Sequence, residues 1–377
     1  KKKLLITGGA GFIGSNLSRR LLMDGYDVRI LDIFSKQIHG ENKVLGENLS
    51  NAELIIGDIN DKKTIASSIQ DIDIIVHLAA ETGTGQSMYE LKSYEETNIK
   101  GTLNIIECLL QNTHSVKKIV VASSRATYGE GAYLCQEHGL VYPKERLELD
   151  MLDSFFEPRC SKCKKFLSPT STNELAPFNP LSFYALTKQI QEQMILMYSK
   201  ILGISAFALR YQNVYGPGQS LKNPYTGIMA IFSTLARKGE LISIFEDGKE
   251  SRDFVYIDDV IDATMSCINT EIEGKNSYNI GAGKSTSVLE VASNIIDYFG
   301  SESEIQITGE FRVGDIRHNY ADLTKVNQEI GYTPKVNFKD GVEKFLDWTS
   351  NQPIPELAFR DSIEELDKIG LFKKALK

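Results

Sequence analysis

Short apolar runs alternate with amphipathic stretches through the first third of the chain. Leu4–Thr7, Val28–Asp32, Leu54–Ile56, Ile72–Leu78 and Lys118–Ser123 read as strands, and Phe12–Met23, Lys62–Ile69 and Tyr94–Leu110 as the helices between them. Strands separated by helical patterns predict βαβ units and a parallel sheet. The strands are continuous apolar runs rather than alternating ones, as a sheet covered on both faces requires.

That rhythm breaks between Gly129 and Pro180, a polar stretch with three of the five cysteines and five prolines, which we read as an inserted excursion. Beyond it, Ser182–Leu202 predicts a long helix, Ser205–Leu209 a strand and Val214–Pro224 a Gly/Pro loop. Helices are expected near Thr226–Lys238, Asp258–Asn269, Ser287–Tyr298 and Lys339–Asn351, and Ile363–Phe372 reads as a small surface helix. The pattern predicts an α/β protein. Its core is a Rossmann-type doubly wound parallel sheet, with a smaller discontinuous C-terminal substrate lobe and a cysteine-bearing insertion.

The 377 residues exceed what one core usually serves, in keeping with two lobes. Lys and Arg number 42 against 50 Asp and Glu, a net charge of −8. That balance speaks against a nucleic-acid or anionic-membrane partner and leaves room for a local basic pocket. No apolar run approaches the ~20 residues of a bilayer span. The opening Lys1-Lys2-Lys3-Leu4-Leu5-Ile6 turns glycine-rich too soon for a signal-peptide core, so a cytoplasmic protein is expected. An odd, dispersed set of cysteines there argues against a disulfide framework.

Thr7-Gly8-Gly9-Ala10-Gly11-Phe12-Ile13-Gly14 follows the first strand and opens the first helix. Gly8 permits the tight turn, Gly11 lets backbone approach a pyrophosphate, and Gly14 lets helix and strand pack closely. Asp32, 18 positions after Gly14, ends the second strand, where it can bond ribose hydroxyls and repel a 2′-phosphate. NAD is therefore expected rather than NADP; a glycine-rich turn without ligand is the competing reading.

Tyr184 and Lys188 stand at i and i+4 on one helical face, so the ammonium should depress the phenol pKa toward the range of a general base. Ser124, at the C-terminal edge of a strand, could orient a substrate hydroxyl or carbonyl. Alone, the Tyr-Lys spacing would be read as a surface pair; after a dinucleotide turn it reads as catalytic.

These residues resemble the extended short-chain dehydrogenase/reductase family, specifically its nucleotide-sugar epimerases and dehydratases. Further matches are Gly57-Asp58, His77-Leu78-Ala79-Ala80, Asn98, Asn213–Gly218, Arg252–Val255 with Asp258, and Arg312-Val313-Gly314-Asp315. The resemblance implies that Asp58 and Ile59 flank the adenine, and that Leu78, Ala79, Ala80 and Asn98 line the cofactor. It implies too that Asn213, Arg252 and Arg312 hold the diphosphate of a sugar nucleotide, a role two guanidinium forks suit. Salt bridges from Arg252 and Arg312 to Asp253 or Asp315 are the alternative. The family also implies a homodimer built on paired helices, with Tyr94–Leu110 and Ser182–Leu202 as candidates. We expect residues 1–178 to form most of the NAD domain and 179–355 to complete its core and build the sugar-nucleotide lobe, with 356–377 a tail.

Family dehydratases place an Asp-Glu pair right after the strand-end hydroxyl, and here those positions are Arg125 and Ala126. Without that acid and base, water elimination is in doubt, and 4-epimerisation through a 4-keto sugar is the expected reaction. A 4-ketosugar reductase and a non-catalytic dinucleotide sensor are the rivals. The chain also resembles a narrower group related to dTDP-L-rhamnose 4-epimerase. That likeness rests on Gln37-Ile38-His39-Gly40, Ser123–Gly131, the insertion, Tyr184–Glu192, Glu364-Glu365-Leu366 and Gly370-Leu371. Arg125 could touch the sugar or fix its own loop by a hydrogen bond.

Cys135-Gln136-Glu137-His138 and Cys160-Ser161-Lys162-Cys163 form two pairs, each with two intervening residues. The spacing matches a closed Cys₃His zinc site of structural type. A redox pair at Cys160 and Cys163, or four unligated surface residues, are the alternatives. Cys108 and Cys267 lie on apolar helical patterns and read as core. His77 reads as packed, and His318 as at most substrate-adjacent.

Overall fold

Five strands from the first third of the chain begin the central sheet: β1 (Lys3–Thr7), β2 (Asp27–Asp32), β3 (Glu53–Ile56), β4 (Ile74–His77) and β5 (Lys118–Ser124). Two later strands, β6 (Ser205–Tyr211) and β7 (Lys275–Ile280), complete it in the order β7-β6-β5-β4-β1-β2-β3. Every pair in this sheet is parallel. The computed structural model describes all residues except Lys1, Asn42, Pro224, Thr226, Leu357, Ala358 and Lys377, and the side chains of Phe359 and Arg360. The ends assigned to the predicted Val214–Pro224 loop and Thr226–Lys238 helix therefore lie outside the described residues.

The continuous apolar runs are explained by two cores, one per face of the sheet. Leu4, Ile6, Ile74, Val76, Val120, Phe207 and Leu209 point into one, while Leu5, Ile75, Ile119, Val121, Ala206 and Ala208 point into the other. Successive side chains of a strand face opposite ways, so both parities must be apolar when both faces are covered. Helices α1 (Phe12–Met23) and α5 (Ile257–Asn269) cover the first face. Helices α2 (Lys62–Ile69), α3 (Gly101–Gln111) and α4 (Phe183–Leu202) cover the second. The doubly wound α/β architecture is as expected.

Several elements differ from the pattern reading. The predicted Tyr94–Leu110 helix is three pieces, Leu91–Tyr94, a π-helical Glu95–Lys100 and α3. Its hydrophobic period is broken where Asn98 turns inward. The terminal helix is Phe359–Lys368, and Phe372 lies instead in a strand, Phe372–Lys374, paired antiparallel to Glu310–Arg312. Gly370, at φ +75°, lets the chain reverse between them. Asn213–Tyr215, whose end residues opened a predicted loop, pairs in parallel with Phe254–Tyr256. Helix Thr324–Ile330 was not expected; two turns are too few for a periodic signal.

The excursion contains a small antiparallel sheet of Gly139–Val141, Tyr133–Cys135 and Ser168–Pro169, and one short helix, Glu148–Leu152. One small core in it is Tyr133, Cys135, Cys160 and Leu167, with Val141 and Cys163 alongside, and Met151 and Phe156 pack separately against Phe311.

Candidate active site

The β1–α1 turn is built by close backbone approach. Gly8 has φ +68°, and a Cβ there would stand 2.8 Å from the Ala79 nitrogen at the end of β4. A Cβ on Gly14 would stand 2.3 Å from the Gly8 carbonyl oxygen. Among the described residues no side chain caps the start of α1, so its first N–H groups are left for another acceptor. They border a cavity of about 690 Å³ at the C-terminal edge of the sheet. Asp32 lines the cavity beside the turn, its carboxylate accepting from the Ala10 and Phe34 amides at 2.9 and 2.8 Å. Gly11, Phe12, Ile13, Asp58, Ile59, Leu78, Ala79 and Ala80 line the same space.

Asn98 does not line it, contrary to expectation. It is fully buried, with its amide oxygen on the Glu81 nitrogen (2.8 Å) and its amide nitrogen on the Glu81 carbonyl and Thr187 Oγ1 (both 3.0 Å). It clamps the segment after β4 to α4 from behind, and Thr97 faces the cavity instead. His77 is likewise structural: buried between Thr7 and Thr102, it is held neutral, its pKa pushed down to about 3 by burial and then by Lys188.

Ser124 and Tyr184 stand in the wall shared by this cavity and a second one of about 210 Å³. The Ser124 oxygen accepts from the Ala126 amide at 3.1 Å, capping the short turn after β5, and its side chain lies beside the Tyr184 phenol. Burial pushes the Tyr184 pKa up, while the Ser124 hydroxyl and the Arg125 charge pull it down; the balance is above the ordinary phenol value. The expected depression by Lys188 is thus corrected. The Lys188 ammonium is committed elsewhere, donating to the Ala122 carbonyl and Gln191 Oε1 at 2.9 Å each, and burial lowers its pKa to about 7. An i,i+4 spacing brings two side chains to one face, but it does not decide which partner each finds.

The second cavity leads to guanidinium groups. Arg125 donates to Asn213 Oδ1 at 3.1 Å, the loop-fixing bond of the alternative reading, yet it still lines the cavity. Burial and the neighbouring Arg252 charge bring its pKa down to about 10. Beyond it Arg125, Arg312 and Asp315 border a third, smaller space, where the Arg312 Nε is buried without a hydrogen-bond partner among the described residues. Burial raises the Asp315 carboxyl, but Arg252, Arg312, Arg146 and Arg125 outweigh it and hold the pKa below the ordinary value. Arg252, expected to hold a diphosphate, is bonded within the protein. It is buried and spends its donors on the Ser251, Ile316 and Arg317 carbonyls and on Asp315 (3.2 Å). The salt bridge given as the alternative is present at Arg252; Arg312 stays a candidate phosphate ligand, and Arg125, read from the sequence as touching the sugar or fixing its loop, joins it by position.

Cys135, His138, Cys160 and Cys163 are brought together as a cluster in the excursion. Cys108 and Cys267 are buried in the cores, as expected. His318 bonds Ser251 through Nδ1 (2.7 Å) and Glu157 through Nε2 (3.1 Å), a structural arrangement. The sequence reading passed over Gln212, whose buried amide finds no partner among the described residues and lines both larger cavities. It also passed over Arg317, which bridges Glu157, Glu246 and Asp247. Only the direct neighbourhood of Asn213 and His318 hinted at either.

A family model described as NAD dependent epimerase/dehydratase family matches residues 4–146 and 161–281. The chain is 38% identical over 355 residues to a dTDP-L-rhamnose 4-epimerase of Burkholderia thailandensis, covering 93% of this chain and 96% of that one. Among solved structures, it is similar to a UDP-glucose 4-epimerase of Thermotoga maritima with UDP-glucose, at TM-score 0.76 and 28% identity, covering 92% and 98%. It is also similar to a Thermus thermophilus UDP-glucose 4-epimerase in complex with NAD, at TM-score 0.72 and 26% identity, covering 93% and 100%.

Proposed function

That this chain belongs to the NAD dependent epimerase/dehydratase family is the premise from which we propose its reaction: reversible 4-epimerisation of a nucleotide-sugar by transient oxidation at C4. The observation that carries this reading is the position of Ser124 and Tyr184 in the wall between the glycine-turn cavity and the arginine-lined one. The first cavity suits a dinucleotide. An uncapped helix start offers N–H groups to its diphosphate, Asp32 faces the ribose hydroxyls, and Leu78, Ala79 and Ala80 offer apolar walls to its rings. Bound there, NAD supplies a reversible hydride acceptor.

The chain's own residues do the remaining work. Ser124 orients the C4 hydroxyl, and Tyr184 takes its proton as C4 is oxidised and returns one as C4 is reduced. Arg125 and Arg312 hold the diphosphate by charge-assisted bonds, leaving the 4-keto sugar free to turn about that tether and present its other face. Arg125 and Ala126 stand where an eliminating acid and base would be needed, so C5–C6 dehydration is not supported.

The substrate pair we propose is dTDP-L-rhamnose and dTDP-6-deoxy-L-talose, supported by the 38% identity over nearly the whole chain. A homodimer through α3 and α4 is supported by exposed Leu103 and Leu110 on one helix and Met197 and Ile201 on the other. The cysteine cluster takes no part in this chemistry.

The test is incubation with a panel of dTDP-, UDP- and GDP-sugars, no cofactor added, followed by NMR of the C4 proton. Interconversion of 4-epimers is expected, with dTDP-6-deoxyhexoses turned over best. Tyr184→Phe should lower the rate by about 10²–10⁴-fold while the variant still retains NAD. Unchanged turnover in that variant would remove the mechanism.

A further inference from the structure

We propose that Cys135, His138, Cys160 and Cys163 hold one structural zinc ion, which fastens the 129–180 excursion beside the arginine-lined end of the substrate cavity. The four ligand atoms all lie within 4.8 Å of one another. Cys135 Sγ is 3.5 Å from both Cys163 Sγ and His138 Nδ1, and Cys160 Sγ is 3.6 Å from the same nitrogen. Zn–S bonds of about 2.3 Å and a Zn–N bond of about 2.0 Å give tetrahedral edges of roughly 3.5–3.8 Å. The separations are therefore those of a tetrahedron's edges. They are far from the ~2.05 Å of a disulfide, which would also leave a thiol and an imidazole over.

The backbone is shaped to deliver these atoms. Cys135 ends a strand and Gly139, at φ +67°, begins its return, so His138 folds back beside the Cys135 sulfur. In the second knuckle the Cys160 amide donates to the Lys165 carbonyl and the Lys164 amide to the Cys160 carbonyl, both at 2.9 Å. Lys164 accepts φ +63° to close that turn, bringing Cys160 and Cys163 onto one side. Apolar burial around the knuckles themselves is slight, since two of the four buried residues of their cluster are cysteines and the Met151–Phe156 cluster is a separate one. Three thiolates and an imidazole select zinc over the hard cations, and four protein ligands leave no open position, so the ion is structural.

The fastening reaches the substrate cavity through Glu157, three residues before Cys160. Its carboxylate accepts from Arg317 Nε at 2.7 Å and from His318 at 3.1 Å. The Arg317 carbonyl in turn accepts from Arg252, which pairs with Asp315 beside Arg312. Glu157 is thus a positioning residue. Only this link rests on the proposed reaction; the metal site does not.

The experiment begins with elemental analysis of the full chain purified without chelator. One zinc per chain is expected, and denatured protein should show five free thiols without reductant. Cys160→Ser and Cys135→Ser should each lose the metal, whereas Cys108→Ser should keep it. Cobalt exchanged into the wild-type chain should give the visible absorption of a tetrahedral thiolate site, a readout that needs no variant to fold. Absence of zinc, iron in its place, three free thiols, or metal retained by both cluster variants would overturn the site. Glu157→Gln should keep its zinc and raise KM for the sugar nucleotide several-fold with kcat nearly unchanged. An unchanged KM would overturn the link alone, and a zinc count of one in a protein without epimerase activity would separate the site from the reaction.

Discussion

Gly14→Ala places the glycine turn under direct strain. The new Cβ would stand 2.3 Å from the Gly8 carbonyl oxygen, 2.7 Å from Gly9 Cα and 2.9 Å from the Gly9 carbonyl carbon. All three are backbone atoms, so no side chain can rotate aside. Ordinary contact begins near 3.4 Å, and the turn must therefore retreat by about 1 Å. Two effects oppose each other. Alanine favours a helix over glycine by about 1 kcal/mol, and overpacking costs about 1–3 kcal/mol or more when only backbone can yield. The net loss of stability is about 0–2 kcal/mol, a fall in Tm of at most a few degrees in a chain of this size. The effect on the cofactor should be larger. The N–H groups that open α1 move with the turn, and a lost bond to a charged group is worth about 1.5–3 kcal/mol. NAD affinity should then drop by about 10–100-fold. Thermal unfolding reads the loss of stability, and calorimetric titration with NAD, together with assay of the NAD that co-purifies, reads the loss of affinity. A variant as stable as wild type that binds NAD equally well would refute the close-approach argument.

Arg312→Ala removes a guanidinium whose Nε is buried without a partner among the described residues. KM for the nucleotide-sugar should rise about 10–100-fold, matching one charged hydrogen bond, with kcat within a few-fold; an unchanged KM would exclude Arg312 as a phosphate ligand. Lys188 gives a pH signature. Its folded pKa of about 7 lies below the ~10.4 of an unfolded chain, so between those values the unfolded state binds more protons. Protonation therefore penalises the folded state fully below pH 7, and the penalty fades as pH climbs toward 10. Urea midpoints of wild type should gain on those of Lys188→Met across that interval, by up to a few kcal/mol. A constant gap would show that the lysine is not strained by burial.

The sheet was legible because its signal is repeated. Both parities of β1, β4 and β5 are apolar, and two buried faces demand this of any such strand. The glycine turn was legible for a related reason, since Gly8 and Gly14 each answer a steric demand made by backbone within a few residues or on the adjacent strand. The Cys/His cluster was visible as two short spacings, because each knuckle is local even though the pair is not. What escaped notice depends on long-range pairing. Nothing local to Arg252 reveals that three carbonyls and Asp315 will consume its donors. Nor does the run around Asn98 reveal that a π-helical stretch turns its amide toward Glu81 and Thr187.

Tyr184 shows how such pairing redistributes a chemical role. A phenol that must act as a base has to be made more acidic, and the helix spacing nominates Lys188 for that task. In the folded chain burial works against both groups, raising the phenol and lowering the ammonium. His77 cannot lend a charge from behind, since burial holds it neutral down to about pH 3. The groups that do favour phenolate are Ser124, through its hydroxyl, and Arg125, through its charge. Both sit at the end of β5 rather than on α4. The acidity of Tyr184 is therefore set from the strand edge, where Arg125 also borders the arginine-lined cavity. An anion bound there would weaken the pull of Arg125 on the phenol, so the residues that grip the substrate and those that tune the base are electrostatically coupled rather than independent.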